Sequence, residues 1–440
     1  MRVHERGRRL SVRRHVLLAT ALMTAAATAG TLHRSWQQVN ESSVSEFQKQ
    51  HRVNLPPRPS QQQFLKVGPS IPVVVPILAA VPAQDSNISS VVAVAFAPWP
   101  VDQPAPCFDP RQETMPNKRW SDPRVQRSPT DSGLFFVKLL KTASSSTASL
   151  HLRAARNLAR RQPPPQESTL ALTSHKNYAI CRSRHLHGRA GPGGHGYAHR
   201  NQTASFLWTI LREPTARYVS EFFHFHVSRE GLAPTTTNLV EFLRTGKHAK
   251  HHYLSWLSLE RYRFGKTDPV QAANGILQAY NFIGITERSD ESAVCFMMLL
   301  RLRLADILYL SSKSSGGYDD GQYKGRCTYI QPSNLTGEMR EYLASDEWIG
   351  HVRGEQLLYQ AANRSLDLTI DRIGREAFQA NLGRYRQAKR RVQSHCGPRT
   401  KFPCTETGQR RAGNETDCLW SDLGCGFDCL DEVSTELGLW

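Results

Sequence analysis

Acidic residues are scarce in this chain: 38 Asp and Glu stand against 56 Lys and Arg across 440 residues, leaving a net charge of +18. The leader up to Ser35 holds seven Arg against Glu5 alone, so +12 remains with the body. A basic body implies an anionic partner, and nucleic acid, phosphate-bearing small molecules and acidic glycans all carry the required charge. Charged residues make up only 21% of the chain and hydrophobic ones 39%, which excludes a wholly disordered protein. No internal repeat is present, so solenoid and propeller arrays are excluded as well. The length allows one large domain or two modest ones.

Long hydrophobic runs are also few. Residues 1–14 carry Arg2, Arg6, Arg8, Arg9, Arg13 and Arg14, and residues 16–32 then run without a charge, short of the ~20 a spanning helix prefers. The segment 15–33 reads as a signal-anchor or a cleaved signal peptide, with an Arg-rich transit peptide as the competing reading. Six Asn-x-Ser/Thr sequons, at Asn40, Asn87, Asn201, Asn334, Asn363 and Asn414, exceed the roughly two expected by chance and favour a luminal or extracellular body. Fifteen of the 25 prolines fall between Pro56 and Pro129. Residues 34–130 therefore read as an extended stem, in which the apolar stretches 73–81 and 91–97, too short to span a membrane, are either strands that lie against the domain or without a role. Five of the nine cysteines (Cys396, Cys404, Cys418, Cys425, Cys429) crowd the tail, residues 396–440, where loops stapled by disulfides are expected and a zinc knuckle with His395 is the alternative. Cys295, inside an apolar run, is expected to be a buried free thiol.

Ordered periodicity begins at Leu134. Residues 134–140 have the length and apolar content of a buried parallel strand. Lys141, Thr142, Ala143, Ser144, Ser145, Ser146 and Thr147 follow, and then a helical pattern. Strand, hydroxyl-rich loop and helix together make an anion cradle: amide N–H groups at the helix start point at a phosphate, hydroxyls add donors and Lys141 adds charge. A Walker A loop needs glycines, and none is present here, which disfavours nucleotide hydrolysis of the ordinary P-loop kind. A second buried-strand pattern, residues 206–211, runs into Arg212-Glu213-Pro214-Thr215-Ala216-Arg217 and Ser220. Arg212 at a strand end and Ser220 two helical turns on can converge on one phosphate, with Pro214 suited to a first helical turn.

The two segments resemble the 5′-phosphosulfate loop and the 3′-phosphate-binding segment of membrane-bound carbohydrate sulfotransferases, in feel closest to the heparan/uronyl 2-O and galactose 3-O branches. The resemblance spans residues 134–366, including Thr286-Glu287-Arg288 with Asp290, Glu291 and Ser292, the stretch 355–359, and Lys324-Gly325-Arg326, which is similar to a loop that closes over the nucleotide. It implies an α/β, P-loop-like sulfotransferase fold with a central parallel sheet over residues 131–395. It also implies 3′-phosphoadenosine 5′-phosphosulfate as sulfate donor, with Lys141 at its bridging oxygen, Thr142 to Thr147 on its 5′-phosphate and Arg212 and Ser220 on its 3′-phosphate, and no metal.

Sulfuryl transfer needs a group to take the acceptor proton. Residues 178–181 read as a strand leading to His185 and His187, whose spacing puts both on one face. The uronyl 2-O-type relatives take their base from such a pair, so His187, then His185, is the expected base, with Glu or Asp as the alternative. The cluster Lys247, His248, Lys250, His251 and His252, followed by Trp256, reads either as a wall for a sugar acceptor or as solvated surface. The expectation is a Golgi, single-pass type II membrane enzyme that sulfates a glycan, acidic glycans included, with no nucleic-acid partner. A tyrosyl-protein sulfotransferase and a catalytically silent anionic-glycan-binding protein are the alternatives.

Overall fold

The computed structural model describes residues 91–103, 105–106, 133–161, 183–184, 189–192, 194–245, 251–321, 323–421 and 423–440. The stretch 73–81, the leader and most of the stem lie outside them. Among the described residues no helix is long and apolar enough to cross a membrane.

The architecture is mixed α/β around a parallel sheet. The apolar runs form β1 (Gly133–Val137), β3 (Ser205–Leu211) and β4 (Phe282–Ile285), every residue of them buried. A two-residue strand, β2 (Ser183–Arg184), pairs with the other side of β1. The order is β2-β1-β3-β4 and every pairing is parallel. Strands covered on both faces need continuous apolar sequence rather than alternation, which is why these runs were legible. The expected strand over 178–181 lies outside the described residues, and β2 begins just after it.

The described residues hold ten α-helices. In chain order they are α1 (Ser144–Arg161), α2 (Pro214–Glu221), α3 (Thr236–Thr245), α4 (His252–Leu257), α5 (Pro269–Ala279), α6 (Ser289–Leu300), α7 (Gly337–Leu343), α8 (Asp346–Ile373), α9 (Arg375–Cys396) and α10 (Phe427–Glu436). A π-helical segment, Phe222–Arg229, continues α2 without a break. The main core stacks Trp208 of β3 on Phe296 of α6 at 4.3 Å and on Phe136 of β1 at 4.7 Å. A smaller cluster of Tyr218, Phe222, Phe223, Phe242 and Trp348 lies under the π segment. Gly284 lets α6 close on β4, since a Cβ there would meet the Ser292 side chain at 3.0 Å. The Ser292 hydroxyl uses that closeness to accept from the N–H of Ile285 (2.8 Å).

Residues 91–99 fall in the segment read as stem, yet they dock on the domain. Val91, Phe96 and Trp99 are buried in the main core. The N–H groups of Val94 and Phe96 donate to the hydroxyls of Ser365 and Thr369 on α8, and that of Trp99 to the carbonyl of Leu299. The segment is not a strand: side-chain hydroxyls of a helix replace the ladder partners a strand would need.

The tail carries disulfides Cys396–Cys429 and Cys418–Cys425, while Cys327–Cys404 ties it to the loop after Tyr323. These bonds consume the cysteines of the zinc alternative. His395, Cys429 and Glu432 are the one group of three metal-capable side chains among the described residues, but Cys429 is bonded to Cys396 and Arg399 occupies His395 at 2.6 Å. Cys295 is the buried free thiol expected, and burial pushes its pKa up. The tail then packs on α1 through Arg153, which is fully buried and pairs with Asp431 of α10 at 2.9 Å. Arg153 also donates to the carbonyl of Ala305 (2.7 Å), so an arginine on the helical pattern of α1 serves the core rather than solvent.

Candidate functional site

Adjacent parallel strands deliver their carboxyl ends to one edge of the sheet, the place where open α/β folds bind ligands. Val137 is in register with Thr209, and Ile285 with Leu211. The loop after β1, Arg212 after β3 and Thr286 after β4 therefore meet. The hydroxyl of Thr286 donates to the carbonyl of Thr142 (3.0 Å), and Arg212 Nη1 donates to the carbonyl of Lys141 (3.3 Å).

The loop is turned by two non-glycine residues in the left-handed region, Lys141 (φ 62°) and Ala143 (φ 55°). Such residues persist only where the surroundings hold them, and they concentrate at ligand sites. Helix α1 then starts at Ser144, so the N–H groups of Ser144, Ser145 and Ser146 have no acceptor within the helix. No acidic side chain sits in that first turn. Thr147 closes the turn by bonding the carbonyl of Ala143 through its N–H (3.1 Å) and its hydroxyl (3.2 Å). Thr142 is buried, with its hydroxyl toward the carbonyl of Leu139 (3.4 Å).

The Arg212 segment is built with equal care. Glu213 caps α2, accepting from the N–H groups of Thr215 (3.1 Å) and Ala216 (2.7 Å), and Pro214 takes the first turn. Burial pushes the Glu213 carboxyl up. Tyr253 holds the backbone of Arg212, its hydroxyl donating to the carbonyl at 2.7 Å, and the buried Glu355 accepts from the N–H of Tyr253 (2.6 Å). Ser220 lies on α2, half-buried. Arg217 is committed to the core: it is fully buried, pairs with Glu221 at 2.7 Å and lies 3.7 Å over the Tyr218 ring. Burial pulls its guanidinium down, and Tyr218, Glu221 and Glu355 more than reverse that.

Electrostatics identify where these parts converge. The half-buried Lys141 ammonium is pushed down to about 7, first by burial and then by the like charges of Arg212, Lys313 and Arg229, with Glu221 opposing. Burial, Lys141, Arg229 and Lys313 push the imidazole of His224 down to about 2. His224 lies on the π segment, is 5% exposed, and its Nδ1 is buried without a hydrogen-bond partner. Arg229 and Lys313 are anchored from behind by the buried carboxylates of Asp319 (3.2 Å) and Asp320 (3.0 Å). Lys141, Arg212, Arg229 and Lys313 thus lie near enough to act on one another, which makes this edge of the sheet electropositive.

Lys324 and Arg326 are exposed, Gly325 (φ 69°) makes the turn, and Arg410 of the tail donates to the carbonyl of Gly325 (3.3 Å). The Tyr323 ring lies 5.3 Å from the Arg229 guanidinium and 5.2 Å from the Lys324 ammonium, which brings this loop to the rim of the cationic pocket. Beside it opens a cleft of 330 Å³ lined by Ser312, Lys313, Tyr318, Tyr329 and Glu406 among others. It begins at the anion loop, since the N–H of Ser312 reaches the hydroxyl of Ser146 at 3.4 Å.

His185 and His187 lie outside the described residues, as do Lys247, His248 and Lys250. His252 is 2% exposed and stacks against the half-buried Trp256 at 4.6 Å, so this pair forms part of the packing rather than a surface wall. The sequence reading missed Lys313, Arg229 and His224. The only local signal was the run Phe222-Phe223-His224-Phe225-His226 immediately after the Ser220 segment, where imidazoles interrupt an aromatic stretch. No protein-family model, curated protein or solved structure matches this chain.

Proposed function

We propose that the chain transfers a sulfuryl group from 3′-phosphoadenosine 5′-phosphosulfate to a hydroxyl of a glycan, as a membrane-anchored enzyme of the Golgi lumen with a P-loop-like sulfotransferase fold. The observation that carries this reading is the meeting, at the carboxyl edge of β1, β3 and β4, of the Lys141 loop with Arg212 and Thr286. The donor set fits a ligand bearing several anionic groups: helix N–H groups without an acceptor in the helix, hydroxyls, and Lys141 with the cations that act on it, Arg212, Lys313 and Arg229. In the transfer the acceptor oxygen bonds to sulfur as the bond from sulfur to the bridging oxygen breaks, and the charge developing on that oxygen must be stabilised.

Lys141 supplies that stabilisation. An ammonium near 7 in the free protein is partly neutral at physiological pH, and a bound polyanion offsets the like charges that depress it. Loading the site therefore recharges Lys141. The N–H groups and hydroxyls of Ser144, Ser145 and Ser146 hold the 5′-phosphate, Thr142 and Thr147 shape the loop through the carbonyls of Leu139 and Ala143, and Arg212 and Ser220 hold the 3′-phosphate. His187, or His185, takes the acceptor proton. Calorimetric titration with adenosine 3′,5′-bisphosphate and with adenosine 5′-monophosphate tests the reading. We expect the bisphosphate to bind at least about tenfold tighter, because Arg212 and Ser220 meet only its 3′-phosphate. Equal affinity would remove that site.

A further inference from the structure

We propose that His224, with Arg229 and Lys313, forms the wall that receives the sulfuryl group, and that the Nδ1–H of a neutral His224 donates a hydrogen bond to one of its oxygens. The inference rests on the sulfuryl-transfer reading and assigns residues that lie in neither phosphate-binding motif.

The placement follows from the chain: His224 lies about one helical turn beyond Ser220 on the segment that continues α2, and the N–H of Ser312, beside Lys313, reaches the Ser146 hydroxyl at 3.4 Å. Arg212 is the strongest of the cations acting on Lys141, whereas Arg229 and Lys313 act on both Lys141 and His224. With Arg212 on the 3′-phosphate and Lys141 at the bridging oxygen, the other flank of Lys141 is left for the sulfuryl end. His224, on which Lys141, Arg229 and Lys313 all act, is assigned to that flank. Its Nδ1 is buried without a partner at 5% exposure, and an unmade hydrogen bond of this kind is costly unless a ligand completes it. The π segment itself places the residue. Its i→i+5 winding is fastened by the hydroxyl of Ser228 on the carbonyl of Phe223 (2.6 Å). Single π turns inside helices concentrate at functional sites.

Chemistry selects the tautomer. An anionic oxygen offers only lone pairs, so the nitrogen that meets it must carry the hydrogen. The surrounding cations keep the ring from taking a second proton, and a neutral donor adds no repulsion against Lys141. Asp319 and Asp320 fix Arg229 and Lys313 in place, so the wall is organised before any ligand arrives.

The test uses the full chain saturated with adenosine 3′,5′-bisphosphate, whose sulfuryl position is then filled by inorganic sulfate. Sulfate affinity is measured by calorimetry for wild type, His224→Leu and His224→Asn, the last keeping an N–H donor where Nδ1 stood. We expect the Leu variant to bind sulfate about tenfold to a hundredfold more weakly, bisphosphate affinity to stay within about twofold, and the Asn variant to recover most of the loss. Unchanged sulfate affinity in the Leu variant, or bisphosphate affinity falling in parallel with it, overturns the assignment. If the Leu variant does not fold, the Asn variant decides: sulfate binding retained beside bisphosphate supports the wall, and its loss with bisphosphate binding intact refutes it. Failure of the wild type to bind the bisphosphate would overturn the functional reading together with this one, whereas the outcomes above refute this one alone.

Discussion

Replacing Lys141 by Met should stabilise the protein while abolishing its activity. The folded state holds this ammonium at about 7, against 10.5 in an unperturbed lysine. Between those values the unfolded chain binds more protons than the folded one, so stability rises with pH across this window and the full cost is present below it. At about 1.4 kcal/mol per pKa step the cost reaches ~5 kcal/mol at most, and solvent screening of a half-buried side chain brings it to roughly 2 kcal/mol. Met keeps the length and apolar stem of Lys and removes the charge. Urea unfolding at about pH 6, 8 and 9.5 should therefore show the variant more stable by roughly 2 kcal/mol at the lowest pH, with the gap narrowing as pH rises. A variant equal to or less stable than wild type near pH 6, or a gap that widens with pH, would refute the claim that Lys141 is held against repulsion from Arg212, Lys313 and Arg229.

Other consequences are as direct. Arg212→Ala and Ser220→Ala should each weaken binding of adenosine 3′,5′-bisphosphate by about 1.5–3 kcal/mol, read by calorimetry, and unchanged affinity in both would displace the 3′-phosphate site. Cys327→Ser with Cys404→Ser opens a loop whose ends are 77 residues apart and should lower stability to urea by about 4 kcal/mol. It should also weaken bisphosphate binding, because the loop at Lys324 loses its tether to the tail; intact binding would show that this loop does not cover the ligand. His187→Ala or His185→Ala should lower turnover by about 10²–10⁴, with an acid limb in the wild-type rate where an imidazole protonates. Wild-type turnover in both variants, or a rate still flat near pH 5, would move the base to a carboxylate.

The legible parts of this protein were those written in contiguous sequence. Residues 134–137, 206–211 and 282–285 are apolar without alternation because helices cover both faces of the sheet, and the loops that follow them bring their own donors. Lys141 and Arg212 could be read because each lies within a few residues of a strand end, and Ser220 because it follows Arg212 on the next helix. Lys313 and Arg229 could not, because their approach to Lys141 depends on two buried carboxylates, Asp319 and Asp320, in a loop far from either motif. His224 was hidden for a different reason. The π segment packs in one cluster with Phe242 and Trp348, and an α-helical continuation of α2 would have turned this imidazole elsewhere. Docking of residues 91–97 on the domain was one of two readings of that stretch, but as a strand; the hydroxyls of Ser365 and Thr369 that replace its ladder partners lie about 270 residues away and could not be read locally. Disulfide connectivity is not carried by spacing, and Cys327 lies outside the tail whose cysteines drew attention.

Transfer of labelled sulfate from 3′-phosphoadenosine 5′-phosphosulfate to a panel of sulfated and unsulfated glycans, with wild type and Lys141→Ala side by side, bears most directly on the central claim. Labelled product with at least one glycan, lost in a Lys141→Ala protein that keeps the wild-type circular dichroism, is the predicted result. No product with any glycan, or equal turnover in the two proteins, would contradict it.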